Sequence, residues 1–375
     1  MPSLTPWRPV AVSLAALCCP AAGYGDDKIK PPYFGIHVID ASTGRGAPLV
    51  ELRTVNDIAL YTDSAGWIAF HEPGLMEREV FFAVRSPGYE IDKDGFGFRG
   101  VRLITKAGTS ATVKIKRTNI AERLYRVTGE GIYRDSVLLG LTTPLPETNA
   151  AVLGQDSVQA VPYRGKLFWL WGDTNVARYP LGNFKTTAAT APLPGAKGTR
   201  PDQGVVFSYY MTSRLDKPKA PLDKETVRAM APFKEPGVVW LFGLLNVPDE
   251  KGRETLLAHF SRRKGLAEEL EHGLVRFDDE AGVFVKIKTL DKDDTWRFPS
   301  HNAVRVNEDD GDYFYFAAPL CHTRVKATLA AILDPATYEA LAFDAKQGKY
   351  VWQREQRPTT QDQERKLVET GVMKP

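Results

Sequence analysis

Cysteine is scarce in this sequence. Only three cysteines occur in 375 residues, and two of them, Cys18 and Cys19, lie in an apolar stretch near the N-terminus. Removal of that stretch leaves Cys321 alone, which excludes an intrachain disulfide framework. We therefore expect the hydrophobic core to hold the fold, with Cys321 as a small buried side chain in it.

The sequence also lacks a strong charge of one sign. Its 49 basic and 46 acidic side chains give a formal net charge of +3, too small to indicate a nucleic-acid partner. It contains no P-loop, His-Glu-x-x-His, paired Cys-x-x-Cys or Gly-x-Ser-x-Gly motif. The usual support for nucleotide-binding, zinc-protease and esterase functions is therefore missing.

Long apolar runs are confined to the N-terminus. Arg8 precedes an apolar stretch at 10–19, and small residues follow at 21–23. This pattern is typical of a signal peptide, which we place at residues 1–25, and the stretch is too short to span a bilayer. We expect a secreted or periplasmic protein with no integral membrane segment after cleavage.

Short apolar segments separated by turns follow the signal peptide. Segments with strand character lie at 36–39, 49–52, 59–62, 67–70, 80–84, 101–104 and 112–115. The turn 63–66 predicts that 59–62 and 67–70 form a hairpin. The whole pattern predicts a β-sandwich over residues 30–117.

The same segment resembles a carboxypeptidase regulatory-like, or transthyretin-like, domain. The resemblance covers residues 33–116 and depends on Val38, Asp40, Thr43-Gly44, Pro48, Thr62-Asp63, Gly66, Phe70 and Gly88-Tyr89. It implies a spacer or an interaction module rather than a catalytic domain.

A second region, residues 127–375, has a different strand rhythm. Predicted hairpins join 158–161 to 167–171, 238–245 to 255–260, 274–277 to 283–287 and 303–306 to 313–317. Repeated antiparallel hairpins with aromatic strands favour a β-propeller, and a second sandwich is the alternative. The fold class predicted for the chain is all-β, a sandwich followed by a five-bladed propeller-like domain.

Two carboxylates meet in the first of these hairpins. A turn centred on Arg164 places Asp156 opposite Gly172 and diagonal to Asp173. Their carboxyl groups would then lie within the range of about 5 to 9.5 Å that two-carboxylate glycoside hydrolysis uses in its retaining and inverting forms. The alternative is that both residues cap strand ends. The Asp-Ser-Val triplet at 135–137 matches 156–158 and suggests a repeated blade position.

The segment around these carboxylates resembles secreted five-bladed propeller glycosidases, a group that includes endo-D-arabinofuranases. The resemblance depends on Gln155-Asp156 and on the run 170–174. It implies that Asp156 and Asp173 are funnel carboxylates. We add Asp202, which precedes another strand, to this catalytic set as a third carboxylate that positions the pair or tunes its pKa values. The remaining candidates, for substrate binding, are Gln155, Thr174, His301 and Trp296.

These assignments give a function with an alternative. The leading hypothesis is an exported glycoside hydrolase that acts on a polysaccharide or an oligosaccharide without a cofactor, with a structural cation in the funnel left open. The alternative is a non-catalytic carbohydrate- or protein-binding module on a sandwich spacer. Glu271 is a further candidate acid, although its acidic neighbours favour a solvated charge run.

Overall fold

The computed structural model describes residues 32–127, 132–143, 149–176, 179–183, 185–196, 204–212, 227–298, 302–317 and 320–374. Within these ranges the helices are short: α1 spans Arg134–Leu138, α2 Leu329–Leu333 and α3 Gln361–Glu369. The predicted all-β class is confirmed. The predicted signal peptide 1–25, Asp202 and His301 lie outside the described residues.

The N-terminal region is a β-sandwich, as predicted. Its strands are β1 Phe34–Asp40, β2 Glu51–Thr54, β3 Ala59–Tyr61, β4 Trp67–Phe70, β5 Glu79–Arg85, β6 Tyr89–Glu90, β7 Gly100–Ile104 and β8 Ser110–Arg117. They form two four-stranded sheets, with orders β4-β1-β8-β6 and β3-β2-β5-β7. Alternate residues of each sheet, such as Ile36 and Val38 in β1 and Phe82 and Val84 in β5, meet in one buried cluster.

The predicted hairpin between 59–62 and 67–70 is wrong. β3 pairs with β2, whereas β4 pairs with β1, so the turn after β3 carries the chain from one sheet to the other. Asp63 organises this corner, because its Oδ1 accepts hydrogen bonds from the backbone N–H groups of Ala65 (2.9 Å) and Trp67 (3.0 Å). A hairpin within one sheet and a corner between two sheets bury the same alternating residues. The sequence pattern therefore does not distinguish the two arrangements.

Helix α1 packs on the sandwich. The other oxygen of Asp63, Oδ2, accepts hydrogen bonds from the backbone N–H and the hydroxyl of Ser136, both at 2.7 Å. The Ala69 N–H donates to Asp135 Oδ1 at 2.9 Å. The triplet at 135–137 therefore lies in a helix, and its interpretation as a blade position is wrong. The boundary at residue 127 stays a prediction, although these contacts associate α1 with the sandwich.

Replacement of Asp63 tests this corner. Asp63 is 2% exposed and accepts four hydrogen bonds, so Asp63→Ala should lower the free energy of unfolding by about 2–4 kcal/mol by leaving buried donors unpaired. Urea titration of the full chain measures it. Asp92→Ala, at a carboxylate whose side chain is 81% exposed, should change it by less than about 0.5 kcal/mol. Equal effects of the two changes would refute the role of Asp63.

Beyond residue 149 the described strands form four antiparallel sheets. The strands are β9 Val152–Asp156, β10 Gln159–Tyr163, β11 Lys166–Trp171, β12 Asp173–Val176, β13 Tyr179–Asn183, β14 Thr187–Pro192, β15 Ser208–Tyr209, β16 Val238–Pro248, β17 Glu254–Lys264, β18 Glu268–Asp278, β19 Val283–Thr289, β20 Val304–Glu308, β21 Gly311–Phe316, β22 Thr323–Lys326, β23 Glu339–Asp344 and β24 Lys349–Gln353. The strand orders in the four sheets are β13-β12-β9, β10-β11-β14-β15, β16-β17-β18-β19 and β20-β21-β22-β23-β24. The four predicted hairpins are confirmed.

The last three of these sheets pack face to face in chain order. Phe168 of the β10-β11-β14-β15 sheet and Leu241 of the β16–β19 sheet share one buried cluster. Leu257 of the β16–β19 sheet and Phe314 of the β20–β24 sheet share another. A sheet that packs one face on its predecessor and the other on its successor has the position of a propeller blade. The propeller-like prediction is confirmed for this part of the chain.

Cys321 is exposed rather than buried, so that prediction is wrong. It lies in the connection before β22, where the His322 N–H donates to the Leu320 carbonyl at 2.9 Å. Connections of this kind run over the surface. No helix in the described part of the chain is long and apolar enough to cross a membrane.

Candidate functional site

The hairpin register brings the two candidate carboxylates closer than the sequence predicts. The turn between β10 and β11 is formed by Arg164 and Gly165, both with positive φ (47° and 72°), as a tight two-residue hairpin turn requires. The turn centre therefore lies between these residues and not on Arg164. Asp156 consequently pairs directly with Asp173, so the predicted partner Gly172 is wrong by one position.

Direct partners in an antiparallel pair project from the same face, with Cβ atoms about 4.5–5.5 Å apart. Asp156 is the last residue of β9, and Asp173 is the first of β12. The register thus places both carboxylates side by side where two sheets adjoin.

A kink separates these sheets next to the carboxylates. Ser157 has a φ of +58°, and the Gly172 N–H donates to the Asp156 carbonyl at 2.9 Å. A Cβ atom on Gly172 would lie 3.1 Å from the Ser157 Cβ, so a larger residue there would require Ser157 to shift by a few tenths of an ångström. Gly172 therefore permits the close approach that fixes the carboxylate pair.

The two carboxylates have different surroundings. Asp173 is half-buried, and its Oδ1 accepts a hydrogen bond at 3.1 Å from the indole Nε1 of Trp240, a buried residue of β16. Asp156 is exposed, and its Oδ1 accepts from the backbone N–H of Ser157 at 2.5 Å and from the Ser157 hydroxyl at 3.4 Å. A side chain of the β16–β19 sheet thus contacts Asp173, whereas the next residue in the chain, Ser157, contacts Asp156.

Gln155 and Thr174 pair with each other in the same register, so they project from the opposite face. Thr174 is fully buried, and its hydroxyl lies 2.8 Å from that of Thr187. Gln155 Nε2 donates to Thr187 Oγ1 at 3.3 Å, and the Tyr209 hydroxyl donates to Gln155 Oε1 at 2.9 Å. Burial raises the pKa of Tyr209, which keeps this donor protonated. The structure does not bring Gln155 and Thr174 together with the carboxylates.

Trp296 lies against another part of the fold. It is half-buried and packs on the cluster between the β16–β19 and β20–β24 sheets. The guanidinium carbon of Arg297 lies 4.5 Å from its ring centroid, so a cation already occupies one ring face. His301 and Asp202, the other candidates, are outside the described residues.

Glu271 is engaged in ion pairs. Its carboxylate lies 2.8 Å from Lys286 Nζ and 3.0 Å from Arg262 Nε. Burial alone would raise its pKa, but hydrogen bonds from Lys286, Thr289 and Arg262 hold the pKa of Glu271 below its usual value. A carboxyl group with a lowered pKa is a poor proton donor near neutral pH.

Sequence reasoning missed a buried histidine pair. His259 Nε2 lies 3.0 Å from His272 Nδ1, and His272 Nε2 lies 2.7 Å from the Asp291 carbonyl oxygen. Because the carbonyl only accepts, His272 Nε2 carries a proton, and in a pair of neutral rings this assigns His272 Nδ1 as the acceptor and His259 Nε2 as the donor. Buried His259 Nδ1 has no hydrogen-bond partner among the residues that the structure describes. Burial, and then the neighbouring His272, lower the pKa of His259 to about 3.

Two further features bear on ligands. Among the described residues, no group of three or more His, Cys, Asp or Glu side chains is arranged to hold a metal ion. A cavity of about 550 Å³ is lined by residues that include Thr186, Arg228, Phe233 and Val239, but by neither Asp156 nor Asp173. Val239 and Trp240 are successive strand residues and point to opposite faces of β16.

Comparison with known proteins gives a weak structural likeness. No family model and no characterised protein sequence matches the chain. A candidate hydrolase from Bacteroides ovatus is 18% identical, with a TM-score of 0.34, and the match covers 56% of this chain and 56% of that chain. A levansucrase variant from B. megaterium is 11% identical, with a TM-score of 0.28, over 88% of this chain and 80% of that chain. The chain thus spans little more than half of the first of these structures.

Proposed function

We propose that this protein is an exported glycan-active hydrolase in which Asp156 and Asp173 are the paired catalytic carboxylates. The observation that carries the proposal is their direct cross-strand pairing, which sets two carboxylates side by side at a kink where two sheets adjoin. The resemblance to secreted five-bladed propeller glycosidases supports it. A polysaccharide or an oligosaccharide is the substrate class.

The chemistry needs one carboxylic acid and one carboxylate. The acid donates its proton to the oxygen of the leaving sugar as the glycosidic bond breaks. The carboxylate either attacks the anomeric carbon, giving a glycosyl ester that water then hydrolyses, or takes a proton from the attacking water. Cβ atoms about 4.5–5.5 Å apart are compatible with both routes. Asp202 remains a proposed third catalytic carboxylate, and Gln155, Thr174, His301 and Trp296 remain proposed substrate-binding residues.

A polysaccharide screen tests the proposal. The full chain should release reducing ends from at least one member of a panel of arabinan, xylan and β-glucan, and Asp173→Asn protein should not. Folding of both proteins is checked by circular dichroism. Absence of release from every member of this panel would contradict the hydrolase assignment.

One observation favours a second candidate, a non-catalytic binding module. Asp156 is exposed and already accepts two hydrogen bonds from Ser157, as expected of a strand-end cap. A residue that only caps a strand end does not have to contact a substrate. Glycan binding without turnover, unchanged in Asp156→Asn, would establish this candidate in place of the hydrolase.

Trp240 should act as a positioning residue for Asp173. Trp240→Phe keeps an aromatic ring but removes the indole N–H that donates to Asp173. Loss of a hydrogen bond to a charged group, together with the resulting misplacement, should lower kcat about 10- to 100-fold, with a smaller change in KM. Steady-state kinetics measure both constants.

Trp352→Phe is the matched control, because it makes the same chemical change at a tryptophan of β24 that packs edge-on against Tyr315. It should leave kcat within about twofold, as an indole that contacts neither carboxylate is not expected to affect the chemical step. Equal losses in the two variants would show a general effect on the fold and refute positioning by Trp240.

A further inference from the structure

The loop between β6 and β7 exposes two phenylalanine rings. Phe96 is 89% exposed and Phe98 is 64% exposed. They are two positions apart in one loop, and neighbouring exposed apolar side chains mark binding surfaces more often than isolated ones do. The sandwich that carries them has no role in the proposed hydrolysis.

Asp94 holds this loop in one conformation. Its Oδ1 accepts hydrogen bonds from the backbone N–H groups of Phe96 (2.9 Å) and Phe98 (3.0 Å). Its own N–H donates to the Phe98 carbonyl at 2.9 Å, and its carbonyl accepts from the Gly97 N–H at 3.0 Å. Gly97 has a φ of +87°, which favours glycine. A hydrogen-bonded turn therefore holds both rings in their exposed positions.

A third ring extends the surface onto the sheet. The ring centroids of Phe81, in β5, and Phe98 are 6.4 Å apart with an interplanar angle of 74°. A Cβ atom on Gly100 would lie 2.5 Å from Cζ of Phe81, so the absence of a side chain lets that ring lie over β7. We call Phe81, Phe96 and Phe98 the phenylalanine platform.

The charged side chains near the platform are balanced. Arg99 lies 3.0 Å from Glu90, and Lys116 lies 3.0 Å from Asp92. Arg102, the direct partner of Phe81, shares its face of the sheet with Glu79. Anionic lipid surfaces and nucleic acids are recognised by an excess of cations, which this surface does not have. An uncharged ligand with both apolar and hydroxyl-bearing faces is the better complement.

We infer that the phenylalanine platform binds a neutral glycan chain and thereby holds the polymer on which the propeller-like region acts. Sugar rings present apolar C–H faces that pack on aromatic rings, while their hydroxyl groups reach flanking polar side chains such as Arg102. The choice of ligand rests on the proposed function. The platform gives the sandwich a binding role of its own.

A retention assay tests the inference. Full-length Asp173→Asn protein, which should bind without cleaving, is incubated with insoluble arabinan, xylan and cellulose, and the bound fraction is measured. Adding Phe96→Ala and Phe98→Ala together should lower retention about tenfold on the retaining polymer, as expected from the loss of two aromatic contacts. Adding Asp94→Ala, which keeps both rings but removes the acceptor that sets the turn, should give a smaller loss. In the wild-type background the double change should leave hydrolysis of soluble oligosaccharides unchanged.

Val55→Ala is the control, because Val55 is 80% exposed on another loop of the sandwich, and it should not change retention. Equal retention with and without the two rings would overturn the inference. So would ring-dependent binding to phosphatidylcholine vesicles, or a ring-dependent dimer on sedimentation, without polysaccharide retention. If retention depends on the rings but no polysaccharide is ever cleaved, the platform stands and the proposed hydrolase activity fails.

Discussion

Asp156→Asn and Asp173→Asn should each lower the rate of glycan hydrolysis about 100- to 10,000-fold. Either change removes a group that donates a proton, accepts a proton or attacks the anomeric carbon in the transition state, and positioned acids and bases contribute factors of this size. Their direct pairing in the β9–β12 register predicts that the double variant loses little more than the worse single variant. Initial rates on the most active polysaccharide of the screen measure these losses.

Asp344→Asn is the matched control for a strand-end carboxylate. Asp344 ends β23, and its Oδ1 accepts from the backbone N–H groups of Lys346 (2.8 Å) and Gln347 (3.2 Å), much as Asp156 accepts from Ser157. This change should leave the rate within about twofold, since asparagine also caps turns. If Asp156→Asn behaved like Asp344→Asn, Asp156 would be a cap and the paired-carboxylate account would fail.

The buried His259 should make the protein acid-sensitive. Its pKa is lowered to about 3 in the folded state, against about 6.5 in the unfolded chain. The folded state therefore binds fewer protons between these values. Its contribution to stability is fully present above about pH 6.5 and is lost as the pH falls towards 3. From this group alone, the free energy of unfolding should fall by about 3 kcal/mol between pH 7 and pH 4.

His259→Gln isolates this contribution. Glutamine offers an N–H donor to His272 Nδ1 but does not titrate, so urea titrations at pH 7 and pH 4 should differ by about 3 kcal/mol less than in the wild type. His259→Phe, which keeps a ring and also does not titrate, should show the same reduced pH dependence. His71→Gln, at an exposed histidine, should retain the wild-type dependence. An unchanged pH dependence in both His259 variants would refute the assignment.

The sequence predicts strands better than their partners. Alternation identifies seven of the eight strands of the sandwich, all except the two-residue β6, and all four propeller hairpins, because each buries one set of side chains. Alternation does not tell whether the chain after β3 turns back within the same sheet or crosses to the other sheet. That choice depends on Asp63 and on Ser136, 73 positions further along the chain.

The carboxylate pair was predicted in part. The hairpin and both aspartates follow from the sequence, but their register depends on whether the turn contains Arg164 alone or Arg164 with Gly165. The Trp240 donor to Asp173 is 67 residues away, and the His259–His272 pair spans adjacent strands with a spacing of 13. Neither spacing belongs to a local motif, so the first contact is revealed only by the packing of two sheets and the second only by the register of β17 and β18.

The most direct test of the central claim is chemical rescue. Asp156→Ala and Asp173→Ala proteins are supplied with azide and with a 4-nitrophenyl glycoside of the sugar found in the screen. Azide should occupy the space of the missing carboxylate and attack the anomeric carbon while 4-nitrophenolate leaves, so at least one variant should regain turnover and form a glycosyl azide detectable by mass spectrometry. Wild-type rates without azide in both variants, or no glycosyl azide from either, would contradict the assignment of Asp156 and Asp173 as the reacting pair.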